Sequence, residues 1–115
     1  MTGVVCHYFS TGSGRLPVEE FIDSLDMRTR LKFFYVRRLL EEFGHRLPMP
    51  HAKRLGEGVF ELRFSGREGA IRVLYFFDRG KAVLTNGFIK KKNKTPKTEI
   101  ETAVQRRKLY DEGMK

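Results

Sequence analysis

Residues 87–97 read Gly-Phe-Ile-Lys-Lys-Lys-Asn-Lys-Thr-Pro-Lys, five lysines with no acid among them. Upstream, Lys53 and Arg54 precede a run of alternating apolar residues, and Arg63 and Arg72 interrupt two such runs. Like charges held together repel, so a cationic cluster at strand ends usually faces something anionic. An arginine on a stiff strand suits bidentate phosphate binding because its donors form a planar fork. Such a set can break an RNA phosphodiester without a metal. The ribose 2′-OH attacks phosphorus, a base takes its proton, cations offset the charge of the pentavalent phosphate, and an acid protonates the leaving 5′-oxygen. A lysine crowded by other cations has a lowered pKa and can act as the base. Arginines stabilise the transition state. His51 is an alternative acid or base, since histidine titrates near neutrality.

Plainer readings stand beside these. Arg63 and Arg72 can form cross-strand ion pairs with Glu61 or Glu68, the lysines can be solvated, and His51 can be an ordinary loop histidine. Other chemistries lack their residues. His7, His45 and His51 have no Cys or carboxylate partners at zinc-ligand spacing, so no metal is expected. No phosphate loop or dinucleotide fingerprint is present, so no cofactor is expected either. Cys6, the single cysteine, sits in an apolar run and reads as core; it excludes an internal disulfide and fits a reducing cytosol. The longest apolar run, residues 73–77, falls far short of the ~20 residues of a membrane span. No secretory signal is visible, and a cytoplasmic location away from membranes is expected.

These residues must be positioned by one domain, residues 1–115. The net charge of +9 is unevenly placed: residues 51–97 carry 12 Lys/Arg against 4 Asp/Glu, whereas the flanking segments are near balance. That asymmetry favours a polyanion-binding surface over general solubility charge. Residues 4–9 read as a strand. Pro17 opens a helix with Val18, Phe21, Ile22 and Leu25 on one face. A longer helix is predicted over about 28–43, with Leu31, Phe34, Tyr35, Leu39 and Phe43 as its buried face and Gly44 at its end. Residues 44–58 read as loop. Strands follow over 59–64, 70–77 and 82–89. A last helix is predicted from Thr95-Pro96 or from Thr98, where Thr98 and Glu101 fit a capping box, with Ile100, Ala103 and Val104 buried. The order β-α-α-β-β-β-α predicts an α+β domain with an N-terminal strand and two helices packed on a small antiparallel sheet. The helices are expected on one sheet face, leaving open the face with Glu61 and Arg63.

The arrangement Lys53-Arg54-Leu55, Val59-Phe60-Glu61-Leu62-Arg63, Ile71-Arg72-Val73-Leu74-Tyr75, Asn86 to Lys91, Lys94-Thr95-Pro96 and Glu99-Ile100 resembles the RelE/ParE toxin superfamily. More narrowly, it is similar to the HigB-like, phage-derived branch, and Pro17-Val18 with Phe21 extends the likeness to the first helix. The resemblance implies a RelE-like fold and the toxin of a type II toxin–antitoxin pair, cleaving mRNA in the ribosomal A site without metal. By position it implies catalytic roles for Lys53, Arg63, Arg72, Lys90 and Lys91. Arg54, Lys92, Lys94, Lys97 and His51 are then the RNA-binding set. The implied partners are mRNA, the ribosome and a cognate antitoxin, expected to be a helix-turn-helix protein. The chain departs from the RelE pattern near its end, where Tyr110 is the only tyrosine of the last helix. Alternatives of the same fold are a ParE-like gyrase inhibitor and a non-catalytic module that binds nucleic acid or antitoxin.

Overall fold

The computed structural model of the chain describes residues 3–114. Its elements are β1 (Val5–Tyr8), α1 (Pro17–Asp23), α2 (Met27–Phe43), β2 (Ala52–Gly56), β3 (Val59–Gly66), β4 (Gly69–Asp78), β5 (Lys81–Lys90) and α3 (Lys97–Leu109). The α+β class and the order of elements are those read from the sequence, and they are consistent with a RelE-like fold. The sheet is larger than expected. It has five strands in the order β1-β5-β4-β3-β2, with β1 parallel to β5 and the other pairs antiparallel. Residues 44–58 are not simply loop. They contain a short 3-10 turn, Gly44–Arg46, and the edge strand β2, which places Lys53 opposite Glu61 and Arg54 opposite Phe60.

Strand alternation sends Phe60, Leu62, Phe64, Ile71, Val73, Tyr75 and Leu84 to one sheet face, where α1 and α2 cover them. Proline at the start of α1 costs no helical hydrogen bond, and Val18, Ile22 and Leu25 are buried as expected. Phe21 lies flat against Gly87, where a Cβ would stand 2.5 Å from the ring, so β5 is held at close range just before Lys90. Helix α2 begins at Asp26, whose carboxylate accepts the Arg28 N–H as a cap.

The buried face of α2 corrects the sequence reading. Thr29, Phe33, Val36 and Leu40 point to the core, while Leu31, Phe34, Tyr35 and Phe43 are exposed and Leu39 is half-buried. Both sets keep helical spacing, and contact with β3 decides between them. Helix α3 supplies a second correction, because it packs on the opposite sheet face. There Ala103 and Val104 meet Val59, Leu74 and Phe88. Its start is Lys97 with Pro96 at the cap position and no side-chain cap, so the Thr98–Glu101 capping box does not form. Tyr110 closes this face: it is buried with Phe9, Phe76 and Val83, and its hydroxyl donates to Asp78 at 2.8 Å.

Candidate RNA-binding site

Helix α3 covers only part of its sheet face. The part beyond it is where the cations gather. Arg63 stands opposite Arg72, which stands opposite Phe88; Lys53 stands opposite Glu61 in the neighbouring row; Lys90 is opposite Ala70, one row beyond Arg72 on the same face. Directly opposed residues share a sheet face about 5 Å apart, so Lys53, Arg63, Arg72 and Lys90 converge. Their fields overlap. Partial burial first, and then Arg72, Arg63 and Lys53, lower the Lys90 pKa from the ordinary lysine value, with Glu61 opposing them. Burial and the neighbouring Arg63 likewise lower that of Arg72.

Glu61 is the acid inside this cluster, and it is only 1% exposed. Its Oε1 accepts the Thr95 hydroxyl at 2.7 Å and lies 3.7 Å from Arg72 Nε. Arg72 is buried too, and its Nη1 donates to the Ile71 carbonyl at 2.9 Å, while its Nε has no hydrogen-bond partner. A buried guanidinium with an unused donor is an unusual arrangement, since nearly all buried polar groups are paired. The ion-pair reading of Arg72 is therefore realised, with Glu61 and not Glu68. Glu68 instead accepts from the Asp26 N–H and the Thr29 hydroxyl.

The other sequence-predicted residues divide. His51 lines one depression of about 380 Å³ with Arg63, Arg72 and Lys32. Its carbonyl accepts the Arg63 N–H, which fixes the loop beside the cluster. Lys91, Lys92 and Lys94 are exposed in the connection that leaves Lys90 and returns to Thr95, so both ends of this basic loop are tied to the cluster. Lys97 is exposed at the start of α3. Arg54 does not join them. It shares the opposite sheet face with Phe60 and lies over that ring at 5.5 Å. Tyr110, buried against Asp78, supplies no ring to the cluster. Cys6 is core, and burial raises its thiol to about 12. Lys32 and Thr95 belong to the site but were not singled out by sequence. Thr95 read only as a helix start, and Lys32 lies inside the long helix, away from the strand cations in sequence.

A small α+β domain whose sheet carries a converged set of lysines and arginines on a partly uncovered face is the kind that grips anionic polymers. The family model described as "Phage derived protein Gp49-like (DUF891)" matches residues 20–108, and the chain belongs to that family. This bears out the likeness to the phage-derived, HigB-like toxins. Two curated relatives, from Mycobacterium tuberculosis strains CDC 1551/Oshkosh and ATCC 25618/H37Rv, each carry the description "Probable endoribonuclease HigB1". Each is 40% identical over 52 residues. That stretch is 45% of this chain and 42% of each relative, so the chain spans less than half the length of the relatives it matches.

Proposed function

We propose that the chain is the toxin of a type II toxin–antitoxin pair and a metal-independent endoribonuclease acting on mRNA at the translating ribosome. The observation that carries this reading is the convergence of Lys53, Arg63, Arg72 and Lys90 around the buried Glu61 on the sheet face that α3 leaves partly uncovered. Lys90, with its lowered pKa, is the base that takes the proton of the ribose 2′-OH. The oxygen attacks phosphorus, closing a cyclic phosphate and expelling the 5′-oxygen. Arg63, with Lys53 beside it, offsets the charge of the pentavalent phosphate. Arg72, held by Glu61, contributes field from beneath. In this reading His51, which lines the same depression as Arg63, is the acid that protonates the leaving oxygen. Lys91, Lys92, Lys94 and Lys97 hold or steer the RNA backbone. A cognate antitoxin, expected to be a helix-turn-helix protein, is the protein partner, and the cytoplasm is the location that fits a ribosomal substrate.

Expression of the parent chain in cells is expected to stop growth and leave mRNA cut within reading frames. The purified chain should keep its activity in a chelator. Arg63→Ala should lower cleavage by about 100-fold or more, the usual effect of losing one transition-state donor. If Arg63→Ala and Lys90→Ala arrest growth as strongly as the parent, the site is misplaced. Intact mRNA alongside DNA damage would instead select the gyrase-directed reading.

A further inference from the structure

The strand cluster does not end at Arg63. Strand β2 pairs with β3 only as far as Ala52 and Leu62, so the outer edge of β3 beyond Arg63 is left without a neighbouring strand. Around that edge, the depression that holds Arg63 and Arg72 meets a second one of about 570 Å³, and Lys32 and Ser65 line both. The second is lined by Arg28, Lys32 and Arg67, with Asp26 as its acid. Asp26 is largely committed, since its carboxylate caps Arg28 N–H and lies 3.8 Å from Arg67. Glu68, at the turn, is bound to the Asp26 N–H and the Thr29 hydroxyl.

The walls of this second depression are fixed. The Thr29 side chain is buried against Gly66, where any Cβ would clash with it, and its hydroxyl oxygen accepts the Arg67 N–H at 3.3 Å. The β3–β4 turn is therefore pinned to α2, which holds Arg67 beside Arg28 and Lys32. Arg67 lies four positions beyond Arg63, just past the end of β3, about 13 Å along extended chain.

We propose that Arg28, Lys32 and Arg67 form a second phosphate-binding stretch, continuous with the strand cluster, that grips the RNA backbone running around the open edge of β3. This rests on the reading of the cluster as an RNA site. The ligand is single-stranded RNA bound through its phosphates, without base preference. Exposed serine and strand-edge groups such as Ser65 offer hydrogen bonds to the same backbone.

The test uses labelled 2′-O-methyl oligouridylates, which cannot be cut, and fluorescence anisotropy with the full chain. One probe is a trinucleotide that fits the strand cluster. The other has about 12 nucleotides, within the length that single-strand binders cover. The triple variant Arg28→Ala/Lys32→Ala/Arg67→Ala should lose at least tenfold in affinity for the long probe and little for the short one. Its slope of log affinity against log salt should fall by about 2, at roughly 0.7 per phosphate contact. A control variant, Arg38→Ala/Arg79→Ala/Lys108→Ala, removes the same charge elsewhere and should bind the long probe within about twofold of the parent once salt is matched. Circular dichroism checks that both variants fold. Equal losses in the two variants, or an unchanged salt slope, would overturn the second stretch. So would unaltered RNA binding by the triple variant together with lost binding of a protein partner. Failure of the parent to bind either probe would sink the RNA reading itself, which is a separate result.

Discussion

Arg72 and Glu61 pose the sharpest question about single residues, because one buried ion pair holds the sheet and is also proposed to serve chemistry. Removing one partner of a buried pair leaves the other charge uncompensated, whereas replacing both with apolar groups is often neutral. Arg72→Ala should therefore destabilise by about 3 kcal/mol or more in urea unfolding. The pair replacement Glu61→Leu/Arg72→Met should recover most of that stability and none of the cleavage. Recovery of both would make Arg72 a structural residue only. The pH dependence of cleavage is a second residue-scale expectation. A base must be unprotonated, so the rate should rise with pH and level off below the ordinary lysine range, because partial burial and then the neighbouring cations depress Lys90. In Lys90→Ala that rising limb should vanish. At this scale the sequence was informative for charge and offered Arg72 two partners, Glu61 and Glu68, without choosing between them. The cations at 53, 63, 72 and 90 could be gathered from alternation and strand order. That Glu61 would be sealed under Thr95 could not, because the contact joins residues 34 positions apart.

Among the elements, α2 shows what periodicity leaves undecided. Leu31, Phe34, Tyr35, Leu39 and Phe43 form an apolar stripe, and so do Phe33, Val36 and Leu40. The larger stripe is the exposed one. The register is settled by β3 and by Thr29 fitting over Gly66, neither of which a helical window contains. Phe33→Ala should cost about 3–5 kcal/mol of unfolding free energy, and Leu31→Ala no more than about 0.5. The reverse ranking would restore the sequence reading. Strand β2 escaped notice for a related reason: it is an edge strand of five residues with one buried side chain, Ala52, and a register shift between Arg54 and Gly56. Such a strand carries no alternating apolar signal. Close approach also governs β5. Gly87→Ala should destabilise by about 1–3 kcal/mol, since the new methyl must displace the Phe21 ring.

At the scale of the whole molecule, several protons are held more tightly in the fold than outside it. Burial raises Cys6 from 9.0 to about 12, and burial with the Asp78 bond raises Tyr110 from 10.0 to about 12; Tyr75 is pushed up as well. Each folded value lies above the unfolded one. The stability these groups contribute is fully present below about pH 9 and is lost as pH climbs toward 12, because the unfolded chain releases its protons first. Urea midpoints should fall steadily over that window, and Tyr110→Phe should flatten the fall. A flat profile in the parent would contradict the burial of these groups.

The parallel pairing of β1 with β5 has a consequence in time. Strand β1 finds its neighbour only when residues 81–84 exist, the sheet is complete only after Lys90 has been made, and Glu61 gains its hydroxyl partner only with Thr95. Contacts this distant in sequence form late. A growing chain emerging from the ribosome thus cannot complete the cationic face before Lys90 and Thr95 have been made. A chain interrupted between Arg72 and Lys90 holds Arg63 and Arg72 without the end of the strand that brings Lys90 beside them.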